Sequence, residues 1–437
     1  MSRPIVAIVG RPNAGKSTLL NRVAGKPLAI VEDMPGTTRD RIFANVSWQG
    51  TEFTLIDTGG LELEPDTTIS QGVRSQIESA IGGADVILSL VDVTEGVTPA
   101  DLDIADMLRR VNKPVLVVAN KADNEKLENE AVEFYELGLG DPIPVAAHHG
   151  RNIAELLDRV TALLPPPPPA DAETESIKVA IVGRPNVGKS MLLNTLVGDR
   201  RSIVDDTPGT TRDAIDTQVD FNRQSVLLID TAGIRRRGRV KAGVERYSVI
   251  RTLRAIDRAD IALLLLDATE TATTQDTHIA GYIQQAAKGI VLVVNKWDLI
   301  ENKDKAGWNA YIRSQFRFFS YAPVLYISAK TRQGVDKIMP QVIQIYQERL
   351  KRLSTSMVNN VVQQAVASHT RPRSRNKQFK IFYATQAEVN PPTFVLFTND
   401  AKLVHFSYRR YLENKLREAF GFHGTPIRIV FKTRGEQ

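Results

Sequence analysis

Gly10-Arg11-Pro12-Asn13-Ala14-Gly15-Lys16-Ser17 is the stretch that decides the fold. It follows the apolar run Ile5–Val9 and opens an apolar-periodic segment through Leu19, Leu20 and Val23. Strand, glycine loop, helix is the context a phosphate-binding loop requires. The glycines let successive backbone N–H groups turn inward, the helix N-terminus adds positive potential, and Lys16 brings a full charge to β- and γ-phosphates. Ser17 offers a hydroxyl to Mg²⁺. The pattern returns as Gly183-Arg184-Pro185-Asn186-Val187-Gly188-Lys189-Ser190, after the strand-like Ile177–Val182. Thr18 and Met191, next in each loop, complete the expected phosphate sites.

Other motifs repeat in the same order. Thr38 maps to Thr211 and Asp57 to Asp230 at an offset of 173, and Asn120 maps to Asn295 at an offset of 175. A period this long is a domain duplication rather than a solenoid. Each copy alternates short apolar runs with helical patterns, so each is expected to be an α/β domain with a mostly parallel sheet covered on both faces. The first copy predicts strands at 4–9, 42–48, 52–57, 84–91, 114–119 and 143–146, with helices near 15–24, 69–81, 99–110, 126–137 and 152–163. The second predicts strands near 177–182, 215–222, 225–230, 260–267, 289–294 and 323–327. Domains are therefore placed at 1–164 and 178–354. Pro165–Pro169 and the acidic residues to Glu175 form a linker, 165–177, extended where proline forbids helix. Residues 355–437 carry no nucleotide motif and read α-β-β-α-β: helix 356–368, strands 378–387 and 393–399, helix 407–420, strand 426–433. That order implies a small α+β domain.

Asp57-Thr58-Gly59-Gly60 and Asp230-Thr231-Ala232-Gly233 each end an apolar strand. The aspartate can hold the Mg²⁺ shell through water, and the last glycine N–H (Gly60, Gly233) can sense the γ-phosphate. Upstream, Pro35-Gly36-Thr37-Thr38-Arg39-Asp40 and Pro208-Gly209-Thr210-Thr211-Arg212-Asp213 supply a threonine, Thr38 or Thr211, that can complete Mg²⁺ coordination while γ-phosphate is present. Base choice comes from Asn120-Lys121-Ala122-Asp123 and Asn295-Lys296-Trp297-Asp298. A carboxylate at Asp123 or Asp298 can accept from N1–H and the 2-amino group of guanine. Adenine presents neither and would leave it unpaired. Ser328-Ala329-Lys330 would add the Ala329 N–H to guanine O6. The first copy has Ala146-Ala147-His148 there, so Ala147 lacks the serine's support. Both copies are expected to bind guanine nucleotide.

In the Ras type of site a glutamine after Asp-x-x-Gly orders the attacking water. Leu61 and Ile234 hold that position here and cannot. Asn13 and Asn186 are candidates for another route, an amide oxygen holding a monovalent cation beside the phosphates. The alternative is that they only brace the loop. The expected catalytic set is Asn13, Lys16, Thr38 and Gly60 in the first copy and Asn186, Lys189, Thr211 and Gly233 in the second.

The chain of 437 residues has a net charge of +6 that hides an asymmetry. Residues 1–164 carry 15 Lys/Arg against 24 Asp/Glu, residues 178–354 carry 28 against 18, and residues 355–437 carry 13 against 5. A basic rear points to a polyanion, with nucleic acid preferred over a merely solvated surface. Arg235-Arg236-Arg237-Gly238-Arg239-Val240-Lys241 makes the second switch cationic where Leu61-Glu62-Leu63-Glu64-Pro65-Asp66 makes the first anionic. That segment reads either as a conditional RNA or domain contact or as solvated charge. Gly421-Phe422-His423-Gly424 matches a Gly-x-x-Gly RNA loop, but it leads from a helix into a strand and needs only helix capping to explain it. RNA contacts are assigned instead to Arg371, Arg373, Arg375, Lys377, Arg409 and Arg410. His148 and His149 read as loop residues. The absence of cysteine excludes disulfides and thiolate metal sites. The early first strand and the short apolar runs predict a cytoplasmic protein with no membrane span.

The motifs in this order, twice, closely resemble the Der (EngA) family of bacterial GTPases over essentially the whole chain. The resemblance implies two tandem P-loop GTPase domains followed by a KH-like α+β domain, and GTP hydrolysis to GDP and phosphate with Mg²⁺. It implies K⁺ stimulation, with the Thr-Thr-Arg-Asp loop supplying further carbonyls. It implies a role in assembly of the large (50S) ribosomal subunit, with rRNA and subunit precursors as partners, no DNA partner, and a monomer. The competing function is an RNA-docking sensor of GTP and GDP with little turnover. An RNA-modification role fits poorly, since no substrate-chemistry motif lies outside the nucleotide motifs.

Overall fold

A computed structural model of the chain describes residues 3–24, 43–58, 83–165, 176–198, 216–222, 224–231, 249–270, 272–368, 373–374 and 377–433. The expected helix 69–81, both Pro-Gly-Thr-Thr-Arg-Asp loops, Gly59 to Leu61, Ala232 to Lys241, most of the linker, and Arg371 and Arg375 lie outside them. The chain forms two compact units: Met1–Glu173 with Gly243–Asp257, and Thr174–Ala242 with Arg258–Gln437.

The first unit is built on a six-stranded sheet of β1 (Ile5–Val9), β2 (Phe43–Trp48), β3 (Thr51–Asp57), β4 (Val86–Asp92), β5 (Val115–Asn120) and β6 (Ile143–Pro144). Their order is β2-β3-β1-β4-β5-β6, and only β2 runs antiparallel to its neighbour. β1 is apolar along its length, β4 is apolar but for Ser89 and Asp92, and both are buried throughout, as strands covered on both faces must be. Val6, Ile8, Leu88 and Val118 pack with Leu19, Leu20 and Val23 of α1 (Lys16–Ala24) on one side, together with Leu156 and Val160 near the end of the domain. Val91, Val117 and Ala119 face the other side, against Ala105, Phe134 and Leu137. The helix expected at 126–137 is α-helical only over Glu125–Glu130 and continues as a 3₁₀ helix over Ala131–Leu137. Its buried residues Ala131, Phe134 and Leu137 recur every third position, the period of the tighter helix.

The second copy repeats this plan with β7 (Ile177–Val182), β8 (Thr217–Phe221), β9 (Gln224–Ile229), β10 (Ile261–Asp267), β11 (Gly289–Asn295) and β12 (Val324–Tyr326). The strand order, β8-β9-β7-β10-β11-β12, is that of the first sheet. Ile177, Val179, Leu263, Leu265, Val291 and Val293 form a core with Leu192, Leu193 and Leu196 of α5 (Lys189–Gly198), and with Ile338, Val342 and Ile345 of α9 (Ile338–Leu350).

The described residues between Thr355 and Thr433 form a smaller layer in the second unit. A three-stranded sheet of β15 (Ile381–Glu388), β16 (Thr393–Thr398) and β17 (Arg428–Thr433) packs one face on α10 (Thr355–Ser368) and α11 (Phe406–Phe420). β15 and β16 are antiparallel, while β16 and β17 are parallel. The strand expected from 378 starts only at Ile381, because two-residue strands at Arg373–Ser374 and Lys377–Gln378 pair with each other first.

This domain joins the second nucleotide domain through the turn Gly421–Gly424. Gly421 caps α11, its N–H donating to Arg417 O. The capping expected there is present, and a junction accompanies it. Gly424 accepts from Ile290 N at the start of β11 (2.8 Å) and donates to Tyr321 O (3.0 Å), while Phe422 N donates to Glu348 (2.7 Å). Arg349 is buried at the junction and donates to Asn390 Oδ1, Ala287 O and Thr425 Oγ1. Burial pulls its guanidinium down to about 10, which leaves it charged at neutral pH. A residue with five fixed donors suits a place where three acceptors from different elements meet.

Candidate functional site: two nucleotide pockets built from one plan

In both copies the phosphate loop leaves the carboxyl end of the central strand, β1 or β7, and enters a helix at the lysine. Asn13 (φ 65°) and Asn186 (φ 61°) sit at the loop tips in left-handed geometry, which asparagine adopts more readily than most residues. Both are exposed. Lys16 Nζ folds back to donate to Gly10 O (2.7 Å) and Arg11 O (2.9 Å). Lys189 does the same to Gly183 O (2.9 Å) and Arg184 O (2.5 Å). Each ammonium is thus held by the carbonyls of its own loop.

The buried amide of Asn120 ties three motifs together. Its Nδ2 donates to Ala14 O (2.9 Å) in the phosphate loop, and its Oδ1 accepts from Ala147 N (3.1 Å). Asn295 repeats both bonds, to Val187 O (2.8 Å) and from Ala329 N (2.9 Å). This crossing explains the glycine before each lysine. Gly15 and Gly188 have φ of 95° and 99°, and a Cβ on either would lie 2.3 Å from the asparagine Nδ2. Only glycine fits there.

Both copies hold the turn that carries Ala147 or Ala329 through backbone, Ala146 N donating to Arg151 O (3.2 Å) and Ser328 N to Gln333 O (2.9 Å). Arg151 N returns a bond to Ala146 O (3.2 Å), and Arg22 Nε donates to Ala147 O (2.7 Å). In the second copy Ser328 Oγ accepts from Thr331 N (3.1 Å), and Thr195 donates to Ala329 O (3.2 Å). What differs between the copies is the donor to the alanine carbonyl, Arg22 for Ala147 and Thr195 for Ala329.

Asp57 ends β3 and accepts from Ser17 Oγ at 2.5 Å. The two expected Mg²⁺ partners of the first site converge, an all-oxygen pair that suits a hard divalent cation. Thr58 is anchored to Ile8 O (2.7 Å). Asp230 ends the corresponding turn after β9, its N–H donating to Asp216 (2.9 Å). Asp123 and Asp298 stand beyond β5 and β11 with their surroundings partly open. His149 Nε2 lies 3.8 Å from Asp123 Oδ1, so one histidine read as plain loop borders the carboxylate expected to meet the base.

Sequence reasoning missed a second tier of residues beneath both loops. Lys121 Nζ donates to the buried Asp92 at 2.5 Å, and Lys296 to Asp267 at 2.5 Å. Burial pushes both carboxyls up, but the hydrogen bonds from the lysine and from Thr94 or Thr269 outweigh it and leave both below the usual range. Arg11 reaches Glu95 (2.5 Å) and stands 3.6 Å from Asp101 and 4.0 Å from Asp92. Arg184 reaches Glu270 (2.7 Å) and stands 3.6 Å from Asp276, whose carboxyl burial pushes up. Asp101 and Asp276 also close capping boxes with Thr98 and Thr273. The signal was present: Asp92, Glu95, Thr98 and Asp101 recur at 267, 270, 273 and 276, the offset of 175 that relates Asn120 to Asn295.

Of the residues assigned to RNA, Arg409 is committed within the fold, donating to Ile429 O (3.1 Å) with its guanidinium over the Phe431 ring. Arg410 is exposed. Side chains of Arg373 and Lys377 lie outside the described residues.

Fold and pockets together define a P-loop GTPase with two nucleotide domains in tandem. Residues 5–121 and 178–296 match the family described as 50S ribosome-binding GTPase, and residues 352–432 match the KH-domain-like C-terminal domain of EngA bacterial GTPases. The chain is 51% identical over 440 residues to GTPase Der of Moorella thermoacetica, covering 100% of both chains. It is 50% identical over 445 residues to GTPase Der of Chloroflexus aggregans, covering 99% of both. A crystal structure of Aquifex aeolicus Era bound to GDP·AlF4⁻ is similar over 58% of this chain and 87% of that one, with 26% identity and a TM-score of 0.31. The chain belongs to the GTPase Der family and hydrolyses GTP.

Proposed function

We propose that this GTPase acts in assembly of the large ribosomal subunit and associates with rRNA and subunit precursors according to nucleotide state. The observation that carries the reading is the pairing of two guanine-nucleotide pockets with a basic C-terminal domain on one chain, 13 Lys/Arg against 5 Asp/Glu over residues 355–437. Polyanion binding by such a surface is salt-steep and not sequence-specific in itself. Nucleotide state would supply the timing.

Within each pocket the residues divide the work. Backbone N–H groups of 13–18 and 186–191 would cradle the phosphates, with Lys16 and Lys189 leaving their loop carbonyls to meet β- and γ-oxygens. Asp123 and Asp298 would accept from the guanine edge while Ala147 and Ala329 N–H groups donate to O6. Ser17 with Asp57, and Ser190 with Asp230, would hold Mg²⁺, which supplies charge neutralisation at the β- and γ-oxygens. Thr38, Thr211, Gly60 and Gly233 would follow the γ-phosphate.

For water activation we assign Asn13 and Asn186 to a K⁺ site. Their exposed amides at the loop tips support this, since the position borders the space where phosphate oxygens would gather. Leu61 and Ile234 leave the charge of the transition state to be met by something other than glutamine.

Sedimentation of the full chain with large-subunit precursors tests the assembly role. Association that is stronger with a non-hydrolysable GTP analogue than with GDP, or the reverse, supports it. Equal association in both states, or accumulation of only small-subunit precursors on depletion, would count against it.

A further inference from the structure

The Gly-x-x-Gly turn of the C-terminal domain cannot clamp a nucleic-acid backbone here. Gly424 is buried, its N–H and carbonyl are bonded to Tyr321 and Ile290, and a Cβ on it would lie 2.4 Å from Ile345. The open surface of this domain lies elsewhere, on its sheet. Ile381, Ala384, Phe394, Leu396 and Ile429 point into the core with both helices. The opposite face carries Tyr383, Val395, Phe397, Val430 and Lys432, none of which joins that core. Tyr383 is 44% exposed and Val430 38%.

Strand register orders this face into rows. Tyr383 pairs with Phe397, and Phe397 with Lys432; Thr385 pairs with Val395, and Val395 with Val430. The Tyr383 and Phe397 rings are 5.9 Å apart and tilted by 43°. A single exposed aromatic is ordinary, and a cross-strand pair alone could serve the sheet. Two adjoining rings with a lysine on the next strand supply π-faces and a phosphate partner side by side, the combination that single strands use.

We propose that this sheet face binds single-stranded RNA, two neighbouring bases stacking on Tyr383 and Phe397 while Lys432 meets the backbone. The inference rests on the assembly reading only for the expectation that the polyanion is RNA. Charge favours RNA over a protein occupant. The three strands carry Arg428 and Lys432 against one acid, Glu388, which ends β15 at the far side from Lys432. Lysine is depleted at protein–protein interfaces. Duplex RNA would present phosphates but no free base faces.

The test uses the full chain and a fluorescent, unstructured oligo-uridine, read by anisotropy across a salt series. Tyr383→Ala with Phe397→Ala should weaken binding tenfold or more and leave the salt slope unchanged, while Tyr383→Phe stays within twofold of the parent. Lys432→Ala should lower the slope of log K against log salt by ~0.7. Melting temperature and GTP turnover of these variants report on folding. Binding within twofold of the parent in a folded double-alanine variant overturns the platform, as does loss of a ribosomal protein contact with oligo-uridine binding intact. Precursor sedimentation separates the two ideas. If the platform fails while nucleotide-dependent association with precursors persists, the assembly role stands; if oligo-uridine binds as expected but precursors do not, the platform stands alone.

Discussion

Lys121 donates to the buried carboxylate of Asp92 at 2.5 Å, and the same bond recurs between Lys296 and Asp267. Each lysine sits in left-handed backbone geometry between the asparagine that ties the loops and the aspartate assigned to guanine. The bond therefore ties the loop that carries that aspartate to the end of β4 in the first copy and of β10 in the second.

Asp92→Asn should loosen that loop without touching the nucleotide. Losing a charge-assisted bond to a buried acceptor costs ~1–3 kcal/mol. Part of this should appear as weaker GDP binding at the first site, measured with a fluorescent GDP analogue while Lys189→Ala disables the second. Affinity equal to the parent would make the Asp92 contact incidental.

Acid should act through the same pair. Asp92 and Asp267 have folded pKa values below the ordinary range, so their contribution to stability is present above the unfolded value and is lost as pH falls through the folded one. The nucleotide-free chain should lose melting temperature below about pH 4. Asp92→Asn with Asp267→Asn should flatten that decline. An unchanged acid profile in the double variant would remove these carboxylates from the account.

Asp298→Asn should turn the second site from guanine toward xanthine nucleotides, because the amide presents a donor to a xanthine oxygen. Competition binding of GDP against XDP checks it. Unchanged preference for GDP at that site would remove Asp298 from base reading.

Gly188→Ala should disorder the second pocket alone. The new methyl would stand 2.3 Å from Asn295 Nδ2, in backbone geometry that alanine resists, so the amide must leave Val187 O or Ala329 N. Nucleotide affinity there should fall by about tenfold or more, the equivalent of ~1.4 kcal/mol or above. Intact binding would show that the crossing amide does not hold the pocket.

The nucleotide motifs were legible because phosphate and base recognition demand particular residues at particular places, and duplication repeated the phosphate-loop, Asp-x-x-Gly and Asn-Lys-x-Asp motifs in the same order. Gly15, Lys16, Asn120 and Asp57 announce themselves by spacing. The supports beneath them did not, since a buried aspartate such as Asp92 looks in sequence like any strand-ending acid until its lysine is seen. The junction at Gly424 was hidden for a related reason: a glycine that caps a helix and one that lets two domains share a hydrogen bond read alike. The solvent-facing row of Tyr383 and Phe397 depends on strand register, which β-bulges in β15 shift and which alternation alone does not give.

The central claim is that each pocket is a complete GTPase in which a phosphate-loop asparagine places a monovalent cation. GTP turnover in K⁺ against Na⁺, with Lys16→Ala and Lys189→Ala disabling one site at a time, tests it most directly. Each singly disabled chain should turn over GTP markedly faster in K⁺, and Asn13→Ala or Asn186→Ala in the remaining site should erase the difference. Equal turnover in the two cations, or K⁺ stimulation that survives loss of the asparagine, would contradict it.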